Sequence, residues 1–401
     1  MNQSLTELGM GANTFFDQDE NLLAIREGVS KVCQQFPDKY WRDRDEDGHF
    51  PHEFHQAMAE GGWLGITMPE EFGGQNLGVS EAAMMMHTVG NGGGGMAAAS
   101  TIQINLFGPH PILLFGTDEQ KKAWVPDLVE GKDKVAFGVT EPNAGLDTSR
   151  ITTFAEKVEG GWKVNGRKMW TTTGQVATKY LLLCRTTKRE DCEKRSDGIT
   201  LFYTDFDRDK MEVQRIPKMA RKAVDSNMVF IDDLFIPDSD LIGEVGKGFR
   251  YILTAMNAER VIIGSVAVGL GMDALSRAAD YAQEREVFGR AIGMNQGIQH
   301  PLAQNWMQLE SAWLMCQKAA RMYDAGEVCG AEANAAKFLG AEAGFKAAER
   351  AVLTHGGMGV AKEYNVERLF RESMIMRIAP ISEQMILNFI GEHVLGMPKS
   401  Y

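Results

Sequence analysis

The chain has 401 residues, 44% hydrophobic and 24% charged, a globular balance long enough for more than one structural unit. A formal net charge of −12 argues against nucleic-acid binding as the main task, and no basic face is offered to a membrane surface. No stretch approaches a continuous apolar membrane span, and five cysteines (Cys33, Cys184, Cys192, Cys316, Cys329) without zinc-ligand spacing imply reduced, structural thiols and a cytoplasmic setting.

The opening MNQSLTELGMGANTFFDQDEN lacks the basic start and apolar core of a secretory signal and is too acidic for a transit peptide. From about residue 18 to 130 the pattern is helical. Asp19 and Glu20 lead into NLLAIREGVSKVCQQF, apolar at three- and four-residue spacing, and PHEFHQAMAEGGWLG ends on a Gly-Gly stop. The glycine run Gly90 to Ser100 is followed by no Gly-Lys-Ser/Thr, so it reads as a helix junction rather than a phosphate loop. Near residue 134 short strands begin, separated by turns such as Glu159-Gly160-Gly161 and Asn165-Gly166, predicting an antiparallel barrel or sandwich. After Gly248 four long periodic segments run to Ser400. The G-x-G-x-x-A in VGLGMDAL lies inside this helical pattern with no strand before it, so a nicotinamide site is not expected. His300 and His355 show no metal spacing, and no metal site is expected.

The most informative stretch is Phe137 to Gly174. A turn carrying Thr140, Glu141 and Pro142 follows an apolar strand and presents backbone amides and a hydroxyl. About one hairpin later, Trp170 to Thr173 set an indole beside hydroxyls. Together they suit a flat, hydrogen-bonding heteroaromatic ring such as a flavin, with amides at its polar edge and the indole over a face.

Over essentially its whole length the sequence resembles the acyl-CoA dehydrogenase family. The stretches that carry the resemblance are EEFGGQ (70–75), FGVTEPNAGLD (137–147), NGRKMWTTTG (165–174), REVFGRAIGMNQGIQH (285–300) and HGGMGVAKEYNVERLFRE (355–372). The resemblance implies an α+β fold: an N-terminal helical domain (1–133), a central antiparallel β-barrel-like domain (134–245) and a C-terminal four-helix bundle (246–401). It also implies FAD at their junction, a homotetramer or dimer, conversion of an acyl-CoA thioester to a trans-2-enoyl-CoA, and electron transfer to an electron-transferring flavoprotein. By the same resemblance Phe137, Val139, Thr140, Trp170 and Thr172 meet the flavin ring. Arg285, Phe288 and Gln296 meet the phosphates and adenine across a subunit interface, and Gly356 and Gly357 admit the pyrophosphate. Arginine and phenylalanine suit phosphate and a stacking ring, and glycine suits close approach.

The dehydrogenation needs a partly desolvated carboxylate as base. Most of the family draws it from a YEGTSE stretch; here RIAPISEQ puts Pro380, or Ala379 with one gap, in that place, and neither accepts a proton. A branch resembling isovaleryl-CoA and long-chain dehydrogenases takes its base from an ER pair on the helix opening the C-terminal domain. TAMNAERVIIG supplies Glu259 there, with Arg260 organising the polar end of the cleft; Glu383 is a lesser candidate. Leu146 replaces a serine near the thioester region, Ser382 matches a flavin-contacting threonine, and Leu353 replaces a flavin-contacting glutamine. A flavin monooxygenase of the same architecture, or an inactive acyl-CoA-binding homologue, are the alternatives against which Glu259 weighs.

Overall fold

Helices open the chain. The computed structural model describes residues 19–400; the N-terminal stretch read above for a leader lies, up to residue 18, outside the described residues. Helix α1 (Glu20–Cys33) starts at Asp19, whose carboxylate accepts the Asn21 N–H at 2.9 Å. Its buried Leu22, Ile25, Val29 and Cys33 form the apolar stripe that the spacing predicts. Next come α2 (Asp38–Asp47), α3 (His52–Glu60), α4 (Val79–Asn91), α5 (Gly95–Phe107), α6 (His110–Phe115) and α7 (Asp118–Val129). Seven strands follow: β1 (Val135–Gly138), β2 (Phe154–Val158), β3 (Gly161–Thr172), β4 (Lys179–Arg185), β5 (Ile199–Asp205), β6 (Met211–Arg215) and β7 (Ser226–Pro237). Then come α8 (Gly248–Glu284), a small hairpin of β8 (Glu286–Val287) and β9 (Arg290–Ala291), α9 (Gln296–Asp324), α10 (Gly330–His355), α11 (Val366–Ile378) and α12 (Glu383–Phe389).

The chain divides into two compact units that interleave in sequence. The helical unit comprises the described part of Met1–Glu46, Leu77–Ala99, and the described part of Asn257–Tyr401. Here α8 is packed so closely that backbone replaces side chain at the contacts. A Cβ on Gly269 would lie 2.0 Å from the His87 carbonyl oxygen of α4, and one on Gly340 of α10 would lie 2.5 Å from the Gly264 oxygen. Arg277 ties α8 to Asp38 of α2 at 2.6 and 2.8 Å and is steadied by Asp273, one turn back on α8, at 2.8 Å. The glycine run is a helix junction gripped from α11: Arg368 donates to the carbonyls of Gly93 and Gly94, and Glu372 accepts the Ala97 N–H. By length and apolarity α8 could cross a membrane (mean hydropathy 1.4 over 18 residues), yet 89% of that window is buried, which marks a core helix.

The sheet unit comprises Asp47–Asn76 and Ser100–Met256. Its strands run in the order β1-β4-β2-β3-β7-β6, with β5 also on β4. Pairing is mostly antiparallel, as expected, but β1 runs parallel to β4, from Val135 opposite Lys179 to Gly138 opposite Leu182, and β2 meets β4 in parallel at Phe154 opposite Arg185. Strand β4 is apolar on both faces because both are covered. Leu181 and Leu183 pack with Ile112, Val125 and Leu128 from α6 and α7, while Tyr180, Leu182 and Cys184 pack with Trp162, Val164 and Val229.

The α4–α8 contact leaves no room for a methyl group. Gly269→Ala is expected to lower stability by roughly 3 kcal/mol in urea unfolding. Gly297→Ala, with no atom within 4 Å of its Cβ, should stay within about 0.5 kcal/mol of the parent.

Candidate active site

In the sheet unit the flavin-type residues are placed by an irregularity that periodicity does not reveal. The β3–β7 register shifts between Lys168 and Thr171, and Trp170 takes a φ of 61° within the break. The bulge turns Trp170 out of the sheet, leaving it 50% exposed, while Thr172 resumes pairing opposite Ser226 and is partly buried. Phe137, at the end of β1, is partly buried and meets Phe107 edge-on at 6.1 Å. Val139 and Thr140 follow it. The Thr140 carbonyl accepts the Met169 N–H at 2.8 Å, whereas its own N–H and hydroxyl have no protein partner among the described residues. Leu146 is 68% exposed in the loop beyond the turn.

Beneath that turn lies a buried ion pair. Lys168 Nζ stands 2.9 Å from Glu141 Oε1, with the two side chains 0% and 4% exposed, and also donates to the Val139 carbonyl at 3.1 Å. Glu141 accepts further from the Thr152 N–H and hydroxyl and from the Thr153 N–H. Burial pushes the Glu141 carboxyl up, but the Lys168 charge and these hydrogen bonds outweigh it and hold it at about 2. Sequence reasoning did not single out Lys168. The available signal is a lysine on the inward register of β3, in step with the buried Trp162 and Val164.

In the helical unit, Glu259 lies three turns into α8 and is 6% exposed. Its carboxyl accepts no hydrogen bond among the described residues, and burial, opposed by the neighbouring Arg260 charge, pushes its pKa up to about 7. Arg260 donates to Asn257 Oδ1 at 2.7 Å, while its buried Nε has no partner. Asn257 and Arg260, but not Glu259, line a cavity of about 680 Å³ with Tyr323, Cys329, Asn334 and Phe389. Asn334 Oδ1 on its wall is likewise buried and unmatched. Arg260 thus leaves a donor and Asn334 an acceptor unmatched by the protein, the two functions that pair with an amide. Glu383, by contrast, is committed: Arg377 holds both its oxygens, at 2.8 and 3.0 Å. Ser382 caps α12 through the Met385 N–H, and the buried Lys337 donates to the Ile381 carbonyl at 2.7 Å, fixing the segment that holds Ala379 and Pro380.

The remaining residues sit on exposed parts of the same unit. Arg285 precedes the β8–β9 hairpin, Phe288 at its tip has a φ of 54° and is 100% exposed, and Gln296 opens α9 in solvent. Gly356 (φ 61°) and Gly357 are open, with no atom within 4 Å of where a Cβ would lie, and Leu353 is exposed one turn earlier. These features fit FAD: free amide and hydroxyl at Thr140, an outward indole at Trp170, a bare glycine pair for phosphate, and an unpacked aromatic at Phe288.

Comparison with known proteins gives the family. Three family models match consecutive stretches: the acyl-CoA dehydrogenase N-terminal domain over residues 19–132, the middle domain over 136–234 and the C-terminal domain over 246–395. The acyl-CoA dehydrogenase FadE12 of Mycobacterium tuberculosis is 34% identical, covering 97% of this chain and 100% of its own. An acyl-CoA dehydrogenase of Bacillus subtilis is 31% identical over 88% of this chain and 92% of its own. The solved butyryl-CoA dehydrogenase of Megasphaera elsdenii superposes with a TM-score of 0.88 at 26% identity, covering 95% and 100%. The chain belongs to the acyl-CoA dehydrogenase family, FAD-dependent oxidoreductases with an N-terminal helical, a middle β-sheet and a C-terminal helical domain.

The raised Glu259 pKa has a consequence for stability. The folded state holds the proton more tightly than the unfolded chain, so stability falls as pH rises from about 4.5 to about 7. Glu259→Gln abolishes that loss. Its gain over the parent in urea unfolding is expected to be small at pH 5 and to reach on the order of 3 kcal/mol at pH 8; an equal gain at both pH values would contradict the shift.

Proposed function

We propose that the chain dehydrogenates an acyl-CoA thioester to the trans-2-enoyl-CoA, with Glu259 as the base that removes the α-proton. The observation that carries this reading is the state of Glu259: buried, free of hydrogen bonds and raised to about 7, so that it ionises near neutral pH and its basicity exceeds that of a solvated carboxylate. The commitment of Glu383 to Arg377 and the lack of an acceptor at Ala379 and Pro380 favour Glu259 over the C-terminal segment. Arg260 and Asn334 would hold an amide of the pantetheine arm in the cavity beside α8, using the donor and acceptor that the protein leaves unmatched. Thr140, Trp170 and Thr172, with Phe137 and Val139, would orient FAD, and Ser382 would add a hydroxyl. FAD, when bound, supplies a two-electron acceptor for the β-hydrogen.

Arg285, Phe288 and Gln296 would reach the adenine and phosphates of a partner subunit's cofactor, with Gly356 and Gly357 beside the pyrophosphate. The complete exposure of Phe288 supports this, because a phenylalanine unpacked within its own chain gains from covering by another. The working form would be a homotetramer or dimer in the cytoplasm, passing electrons to an electron-transferring flavoprotein.

Anaerobic titration with a panel of acyl-CoA thioesters tests the reading. One or more should bleach the flavin absorbance, with a reduction rate that rises with pH through about 7. Glu259→Gln should slow that step by roughly 10²–10⁴-fold and remove the pH dependence. Unchanged reduction in Glu259→Gln would reject Glu259 as base, and flavin that no thioester bleaches would reject the dehydrogenation.

A further inference from the structure

We infer that the buried Lys168–Glu141 pair is a positioning device that aims the Thr140 amide at the cofactor. This rests on the reading of Thr140 as a flavin contact. A trans peptide directs its C=O and N–H to opposite sides. Lys168 Nζ grips the Val139 carbonyl at 3.1 Å, so the N–H on the same peptide plane, that of Thr140, is turned the other way. The next carbonyl, of Thr140, is held by Met169 N–H at 2.8 Å, and the Glu141 N–H by the Ala144 carbonyl at 3.2 Å. These bonds fix the peptide planes on either side of Thr140, whose own N–H has no protein partner among the described residues.

Glu141 completes the device. An ammonium with no exposed surface needs a counter-charge, and the carboxylate at 2.9 Å supplies it. Its remaining valences take the Thr152 N–H and hydroxyl at 2.6 and 2.8 Å and the Thr153 N–H at 3.0 Å, pinning the start of β2 to the same point. The turn, β3 and the approach to β2 thus meet at one ion pair, and Lys168 is two residues before Trp170 on the bulged strand. A buried pair is a poor source of stability, since apolar replacement of both members is commonly neutral or stabilising. Its worth here is directional: neither a methionine nor a leucine at 168 can hold the Val139 carbonyl.

The test uses the FAD-loaded protein and reads the flavin midpoint potential and FAD retention on gel filtration. In the double variant Lys168→Met/Glu141→Gln, unfolding should stay close to the parent while FAD dissociates roughly tenfold or more readily and the potential moves. Thr152→Val keeps the pair but removes one hydrogen bond to Glu141; it should move the potential in the same direction by less, and serves if the double variant does not fold. Trp170→Leu reports on the site independently. If Trp170→Leu alters the flavin spectrum while the double variant and Thr152→Val leave affinity and potential at parental values, the positioning role is overturned. If Trp170→Leu has no effect either, the flavin reading of this turn fails with it.

Discussion

Helix α8 can be buried only because backbone meets backbone along it. Gly269 against α4 and Gly340 of α10 against Gly264 bring neighbouring helices closer than any side chain would permit, and the apolar window between them loses almost all contact with water. The same helix carries Glu259. A carboxyl placed in such surroundings without a hydrogen-bond donor holds its proton to about neutral pH, which is the property an α-proton base requires. Close packing and basicity are therefore linked through one element.

Three buried carboxylates show how much of this chemistry lies in partners rather than residue type. Glu141 sits against an ammonium and three further donors and stays ionised down to about pH 2. Glu383 is held by both arms of the Arg377 guanidinium. Glu259 has only the off-axis charge of Arg260 beside it, and burial wins. Glutamates of similar exposure thus divide into an anchor, a structural ion pair and an unpaired carboxyl whose proton is held to about neutral pH.

Much of the fold was legible in the sequence because apolar spacing is a local record of burial. Leu22, Ile25, Val29 and Cys33 announce one face of α1, and the doubly apolar run of β4 announces a strand covered on both sides. Glu259 was legible only through the family resemblance, since an Ala-Glu-Arg triplet on a helix says nothing of whether its carboxylate meets water. The β3 bulge was not legible, because a register shift depends on the partner strand. Lys168 lay in plain view on an inward position, but alternation alone cannot say whether such a lysine finds a counter-ion or ends the strand. The apolarity of α8 reports burial without naming what buries it: a window of mean hydropathy 1.4 is 89% buried within the protein.

The interleaving of the two units bears on how the chain is made. Helices α1, α2 and α4 belong to a unit whose larger part begins at Asn257, and the α4 N-terminus is closed by Asp324, whose carboxylate takes the Val79 and Ser80 N–H groups at 2.7 and 2.9 Å. During synthesis, at about 5–20 residues per second, α4 leaves the ribosome on the order of 10–40 s before its partners on α9 exist. Over that interval α1 is already available to α4, while α8 and then α9 arrive later. Completion of this unit therefore waits on contacts distant in sequence, which are correspondingly slow to form.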